Sequence, residues 1–290
     1  MTTSQHTFDR SLQHYQEGML DSDAWFRIVE RDYIHLVQTF HWARLFAMFP
    51  SPLRLLDIGC GTGKFPYILR PHLPSSLDIQ YDALDPSAYC LTTLKASLLP
   101  PYTSGRQFQT SLEDFKPAST SHPYHIIWAI QSLYCLSRQA LPRALKTIHQ
   151  LLHPTMGLSI ILLAKHDSFF HHLYHLYNAV MHQGKPEDFL TAESITQCLT
   201  ELGLPYRVRE FDCLHTIPQQ DTPLLTNYLQ QCVMEKRLLQ EWEHSPALRA
   251  FLDSFLQDQT YQFPNPVQLI LSTPSTNDPS AMKTLEKMNC

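Results

Sequence analysis

The chain of 290 residues predicts an α/β fold, a mostly parallel seven-stranded sheet with helices on both faces. Three observations carry this expectation. Short apolar or β-branched runs recur in order, LRLLDIG, YDALD, RQFQT, HIIWAIQ and GLSIILLA. Segments with helical periodicity separate them, the alternation that a parallel sheet covered on both faces requires. Three of only 8 glycines, Gly59, Gly61 and Gly63, directly follow the first run. There a doubly wound sheet turns from strand to helix, and ligands approach the carboxyl ends of such strands.

Each element has its own local reasons. From about residue 8 to 49, Tyr33, Leu36, Phe40, Ala43, Leu45 and Phe46 recur at helical spacing and Pro50 and Pro52 punctuate the end, so one or two helices precede the first strand. Leu141, Ala144, Leu145, Ile148, Leu151 and Leu152 make an apolar stripe, with Pro142 suited to a first turn and Pro154 to a stop. SFFHHLYHLYNAVM predicts another helix, and so does TAESITQCLTELG, with Thr191 and Ser194 as caps and Gly203 as its stop. YRVREFDCLHTI, at 206–217, and VQLILS, at 267–272, read as late strands enclosing a long helical segment at 222–257. Residues 273–290 are polar and proline-bearing, and predict a flexible tail.

Composition narrows the function. With 43% hydrophobic residues the chain can bury a proper core. A net charge of −5, without a long Lys or Arg run, offers no footprint for nucleic acid or an anionic membrane. The 7 cysteines are scattered and form no CxxC pair, which fits reduced thiols in a cytosol better than a disulfide framework or a zinc knuckle. The N-terminus lacks an apolar targeting segment, and no window approaches the ~20 apolar residues of a membrane span. A soluble cytoplasmic protein, monomeric or weakly dimeric, is expected.

The glycine loop excludes two dinucleotide or phosphate readings by residue count. A G-x-G-x-x-G fingerprint needs glycine where Lys64 stands, and a phosphate loop needs glycine at Ile58 and Ser or Thr at Phe65. Asp57-Ile58-Gly59-Cys60-Gly61-Thr62-Gly63 instead closely resembles motif I of the class I methyltransferases that depend on S-adenosylmethionine (SAM), a Rossmann-like fold. Glycine at these positions lets the backbone pass close to a bulky nucleoside. The resemblance implies SAM as cofactor and an acidic residue at the end of the next strand for the ribose hydroxyls. Asp85, followed by Pro86 and Ser87, stands there, with Asp82 as its rival. After the third strand, Ser111, Leu112 and Glu113 are expected to neighbour the adenine.

The exit of the fourth strand bears on the acceptor. Ala129-Ile130-Gln131-Ser132 carries no Pro-Pro motif of the nucleobase or glutamine enzymes and no acidic metal ligands of the catechol type. Collinear features resemble the histamine N-methyltransferase family: Asp85-Pro86-Ser87-Ala88, Ile130-Gln131-Ser132-Leu133-Tyr134, Phe170 with Tyr174, Phe189-Leu190-Thr191, Leu202-Gly203-Leu204 and Phe263-Pro264-Asn265. This resemblance implies methyl transfer to a nitrogen of a small amine or heterocycle, with Gln131 and Asn265 orienting this acceptor, Tyr134 facing it and Ile130 near the adenosyl group. Ala164, Phe170, Tyr174 and Tyr228 would line its pocket, and an N-terminal carboxylate, Asp23 or Glu30, would grip its ring. The implied layout is a helical lid at 1–49, a catalytic domain at 50–272 with substrate-binding insertions near 166–190 and 218–262, and the tail.

Two further readings stay open: an O-methyltransferase using a histidine such as His166 near the fifth strand, and a non-catalytic SAM-binding scaffold. His171 and His175 share a helical face at metal-ligand spacing. No metal is expected there, because neither a carboxylate nor an HExxH pattern accompanies them.

Overall fold

A computed structural model describes residues 22–116, 122–182, 189–236, 242 and 244–274, with the side chains of 22–25 outside the description. The described elements run α1 (Ser22–Thr39), α2 (Trp42–Phe46), β1 (Leu53–Ile58), α3 (Lys64–Leu69), β2 (Ile79–Leu84), α4 (Ala88–Ser97), β3 (Tyr102–Phe108) and β4 (Ile126–Ile130). Then follow α5 (Leu141–Leu151), β5 (Leu158–Ala164), α6 (Phe169–His182), α7 (Ala192–Glu201), β6 (Tyr206–Pro218), α8 (Thr222–Val233), α9 (Pro246–Asp253), β7 (Leu256–Gln257) and β8 (Thr260–Ser272).

The strands form one sheet in the order β3-β2-β1-β4-β5-β8-β6, with the two-residue β7 pairing β8 as an eighth strand. The first five are parallel, and β8 runs antiparallel between β5 and β6. Every residue of β4 and β5 is buried, as expected of strands with helices on both faces. One apolar cluster on one side gathers Leu55, Trp128 and Ile160 with Leu36 and Trp42 of the N-terminal helices. On the other side Leu56, Ile127 and Ile161 meet Leu145 and Ile148 of α5 and Ile195 of α7. Each such fully buried aliphatic side chain contributes about 1.5–3 kcal/mol.

Local expectations meet the structure closely at the helix ends. Proline opens α5, Thr191 and Ser194 form a capping box on α7, and Gly203 terminates α7 at φ +66°. Two boundaries differ. The helical segment expected at 222–257 is divided into α8 and α9, with 237–241 and 243 outside the described residues. The last strand begins at Thr260 rather than Val267, because β6 and β8 pair along all 13 residues and so satisfy each other's backbone beyond the rest of the sheet. Of the N-terminal helices, 8–21 lie outside the described residues, as do 183–188 of the first insertion and 275–290 of the tail.

The long β6/β8 pair positions the site. β5 ends at Ala164, opposite Val267, so 260–266 of β8 and 212–218 of β6 project beyond the carboxyl ends of the parallel strands. α1 packs on this projection and on α8, closing the space above β1 and β4.

Candidate active site

A cavity of about 280 Å³ lies at the carboxyl ends of the central strands. Its floor is the loop after β1, with Asp57, Gly59, Cys60 and Gly61, and the exits of β2 and β4. The three glycines of that loop all have positive φ, +65°, +51° and +82°, where a side chain is disfavoured. Their surroundings differ. A Cβ on Gly59 would lie 2.4 Å from Ser132 Cβ, and one on Gly63 2.4 Å from Leu94 Cδ1. A Cβ on Gly61 would meet nothing within 4 Å. Gly59 and Gly63 therefore let β4 and α4 approach, whereas Gly61 keeps the open side of the loop bare.

Asp85 clasps this loop. Its Oδ2 accepts the Gly61 N–H at 2.9 Å and its Oδ1 the Ser87 N–H at 2.8 Å. A carboxylate has about four lone-pair sites, so each oxygen retains one for a vicinal diol on the cavity side. Burial pushes the Asp85 carboxyl upward while the two N–H groups oppose it. Its sequence rival, Asp82, is committed elsewhere: it receives the Tyr124 hydroxyl at 2.6 Å and lies 3.0 Å from the Arg106 guanidinium. Asp57 is buried at the cavity edge and accepts the Tyr81 hydroxyl. Burial raises its carboxyl to about 7 despite that hydrogen bond. A bare glycine, the two oxygens of Asp85 and the buried Asp57 carboxyl, all on one cavity, fit the nucleoside and amino acid parts of SAM.

The other end of the cavity is framed by groups far apart in sequence. Asp32 of α1 and His215 of β6 face each other, with His215 Nε2 donating to the Asp32 carboxylate at 3.0 and 3.1 Å. The Tyr228 hydroxyl and His215 Nδ1 lie 2.8 Å apart as a hydrogen-bonded pair, and Asn265 Nδ2 donates to Asp32 Oδ2 at 2.8 Å. Asp32, His215 and Asn265 are 2%, 1% and 3% exposed and all line the cavity. Around them stand Phe26, Tyr33, Tyr134, Phe170 and Phe189. Tyr134 stacks on Phe189 with centroids 5.4 Å apart, and Phe170 meets the same ring edge-on at 5.3 Å. Gln131 enters this end from a left-handed backbone at φ 50°. For a residue other than glycine such a conformation marks a position held by its surroundings, often at a functional site.

The structure brings most of the sequence-expected residues onto one cavity: Asp57, Gly59, Gly61, Asp85, Pro86, Ser111, Leu112, Ile130, Gln131, Tyr134, Phe170 and Asn265. Others stand off its wall. Gly63 packs on α4. Glu113 accepts the Ser137 N–H at 2.9 Å, which fastens the segment before α5. Ala164 is buried inside β5. Tyr174 lies behind Phe189, 5.1 Å between centroids, and Tyr228 stacks on Phe263 and touches the site residue His215. Glu30 is half-buried and off the wall, and the side chain of Asp23 lies outside the described residues. His166 is 65% exposed and bound to Glu193 at 2.9 Å, away from the cavity. With Asp167 and Glu193 it forms a group whose ligand-type atoms lie within 4.8 Å of one another. His171 and His175 bring their Nε2 atoms to 2.9 Å on α6.

Sequence reasoning missed Asp32 and His215, although both leave a trace. Asp32 falls between Ile28, Leu36 and Phe40 at steps of four, a carboxylate in the middle of an apolar helix stripe. His215 continues the alternation Phe211, Cys213, Ile217 on the buried face of β6. A charged or polar group in such a stripe needs a buried partner, and each supplies the other's.

Comparison with known proteins agrees with this fold. A search of curated protein sequences finds no match. Among solved structures, the plantazolicin methyltransferase BpumL in complex with SAH aligns at TM-score 0.52 and 16% identity, covering 94% of this chain and 100% of that one. BpumL with a monoazolic desmethylPZN analog and SAH aligns at TM-score 0.53 and 15% identity, over 94% and 98%. A candidate methyltransferase from Bacillus halodurans C-125 aligns at 0.51 and 13%, over 81% and 98%. Among the described residues no helix is long and apolar enough to cross a membrane. A family model described as a methyltransferase domain matches residues 25–207, well over half the chain. The chain thus belongs to the methyltransferase domain family and is a SAM-dependent methyltransferase.

Proposed function

We propose that this enzyme methylates a nitrogen of a small amine or heterocycle. One observation carries the reading: a buried carboxylate, Asp32, lines the same cavity as the rings of Phe26, Tyr33, Tyr134, Phe170 and Phe189. Aromatic faces and a fixed negative charge both favour an acceptor that carries N–H donors or positive charge. The same charge opposes a phenolate. O-methylation also needs a base, and both nitrogens of His215 are already engaged, by Asp32 and Tyr228, while His166 is on the surface with Glu193.

When bound, SAM supplies an electrophilic methyl group on a positively charged sulfur. The chain's part is to align a neutral nitrogen lone pair with that methyl and to keep water out. Asp57, the loop from Gly59 to Gly63, Asp85 and Pro86 hold the donor in this reading, with Ser111, Leu112 and Ile130 beside its nucleoside. Gln131 and Asn265 orient the acceptor, Tyr134 and Phe170 flank it, and Asp32, held by His215, grips a donor group on it. The methylated nitrogen then releases its proton to solvent. The N-terminal helices serve as a lid, since Phe26, Val29, Asp32 and Tyr33 of α1 form one wall.

The test is a thermal-shift assay with SAM and SAH, followed by a mass-spectrometric screen of small amines, azoles and phenols. Methylated amine or azole is expected. Methylated phenol alone would replace this reading with O-methylation, and cofactor binding with no product across the panel would refute a small amine or heterocycle as acceptor.

A further inference from the structure

The cavity is unbalanced in charge. Among the described residues that line it stand three carboxyl groups, Asp32, Asp57 and Asp85, and a single lysine or arginine, Lys64. SAM carries a sulfonium, an ammonium and a carboxylate. Its two cationic groups suit such a wall, but its carboxylate does not. In a partly dry site an anion is repelled by like charges unless a cation stands beside it.

The place of Lys64 is fixed from two sides. It opens α3 directly after Gly63, so its backbone continues the loop that floors the cavity. The next residue, Phe65, is buried and meets Trp128 edge-on at 5.1 Å and Tyr33 of α1 at 5.8 Å between centroids, which anchors the first turn of α3. The Lys64 ammonium lies 4.8 Å from the ring centroid of Phe26 on α1, and Phe26 lines the same cavity. An aromatic face attracts a cation without neutralising it. The ring thus holds the ammonium in place and leaves its charge for an anion. Lys64 is half-buried, where an ion pair is screened less than on an open surface.

We infer that the Lys64 ammonium binds the carboxylate of SAM's amino acid tail, with Phe26 as the positioning residue that holds it there. SAM and SAH share this tail, so the role goes beyond the choice of acceptor and is the same whichever atom is methylated. Because α1 also carries Asp32, the Phe26 contact joins the donor's tail to a wall of the acceptor end.

The probes are SAH and decarboxylated SAH, which keeps the nucleoside, the thioether and the ammonium and lacks the carboxylate alone. Calorimetry on the whole chain measures both. The parent is expected to bind SAH at least about tenfold more tightly than the decarboxylated probe. Lys64→Met, which keeps an apolar stem, should remove that preference by weakening SAH about tenfold and leaving the decarboxylated probe unchanged. Lys64→Arg should retain most of it. A packing role for Lys64 would instead weaken both probes alike. Equal binding of the two probes by the parent, absence of binding by both, equal losses in Lys64→Met or parental SAH affinity in that variant overturns the inference. The amine reading fails separately: a screen that yields only methylated phenol overturns that reading and leaves the preference for SAH. Equal probe binding removes Lys64 from the donor site and leaves amine methylation standing.

Discussion

The three glycines after β1 separate architecture from ligand contact, and alanine at each should reveal which is which. All three would force a side chain into the left-handed region, at a cost of about 1–2 kcal/mol. For Gly61→Ala nothing more is added, since the new Cβ meets open space. For Gly59→Ala the Cβ would lie 2.4 Å from Ser132 Cβ, an atom close to the backbone that cannot swing aside. Overpacking of this kind adds about 1–3 kcal/mol, for a total of about 2–5 kcal/mol, a large share of the ~5–15 kcal/mol that holds a domain folded. The Ser132 hydroxyl, which donates to the Ile58 carbonyl at 2.7 Å, would be displaced as well. Gly63→Ala should fall between, because the group it strikes is the methyl end of Leu94. Urea unfolding should therefore rank the midpoints as parent, Gly61→Ala, Gly63→Ala, Gly59→Ala. Calorimetry with SAH should find the opposite emphasis for Gly61→Ala, a well-folded variant whose affinity drops more than about tenfold because the added methyl fills cofactor space. Equal midpoints for Gly59→Ala and Gly61→Ala, or parental SAH affinity in Gly61→Ala, would refute this division.

Asp57 should make cofactor-free stability fall as pH rises: its carboxyl is raised from 3.8 to about 7, so between these values the unfolded chain loses its proton while the native one keeps it. Asp57→Asn should accordingly be more stable than the parent by a few kcal/mol at pH 8 and no more stable at pH 4, in thermal melts, while binding SAH more weakly. His149 works in the reverse sense, since burial lowers its imidazole from 6.5 to about 4 and the unfolded chain takes up the proton first. Acidification from pH 6.5 to 4 should cost about 3 kcal/mol of stability, and His149→Gln, keeping a polar group near the Ser272 hydroxyl, should flatten that slope in melts across the range. Asp32→Asn should raise the KM for a nitrogen acceptor by about 100-fold with SAH affinity intact, in steady-state assays, because it removes the site's fixed charge. His215→Phe should instead unfold more readily, by about 3–5 kcal/mol in urea, because it strips a buried carboxylate of a partner.

How much of this was legible follows from how local each signal is. The floor of the cavity is written in short stretches: Asp57 to Gly63 in one turn, Asp85 to Ser87 in the next, Ile130 and Gln131 in a third. Each combines a strand exit with residues whose backbone demands are unusual, so the cavity residues there could be named in advance. Glu113 is less legible, because an acidic side chain at that distance from a strand suits a capping task as well as a ligand, and here it takes the Ser137 N–H. Tyr174 and Tyr228 stand off the wall for a similar reason. An aromatic on a helix near the site lines either the cavity or the layer behind it, and helical spacing does not distinguish the two.

The acceptor end is different in kind. Asp32 and Asn265 are 233 positions apart and joined by one hydrogen bond, and His215 meets Asp32 across 183. No local pattern encodes such a meeting. It arises because β6 and β8 pair past the end of β5 and carry their inward side chains over the cavity, and because α1 covers that projection with the one carboxylate in its apolar stripe. Polar residues at apolar positions are the only local trace of such a device, since burying any of them alone would be unfavourable. Asp32 in α1, His215 in β6 and Asn265 in β8 each break the apolar pattern of a separate element, and their mutual satisfaction is what makes the three exceptions a site.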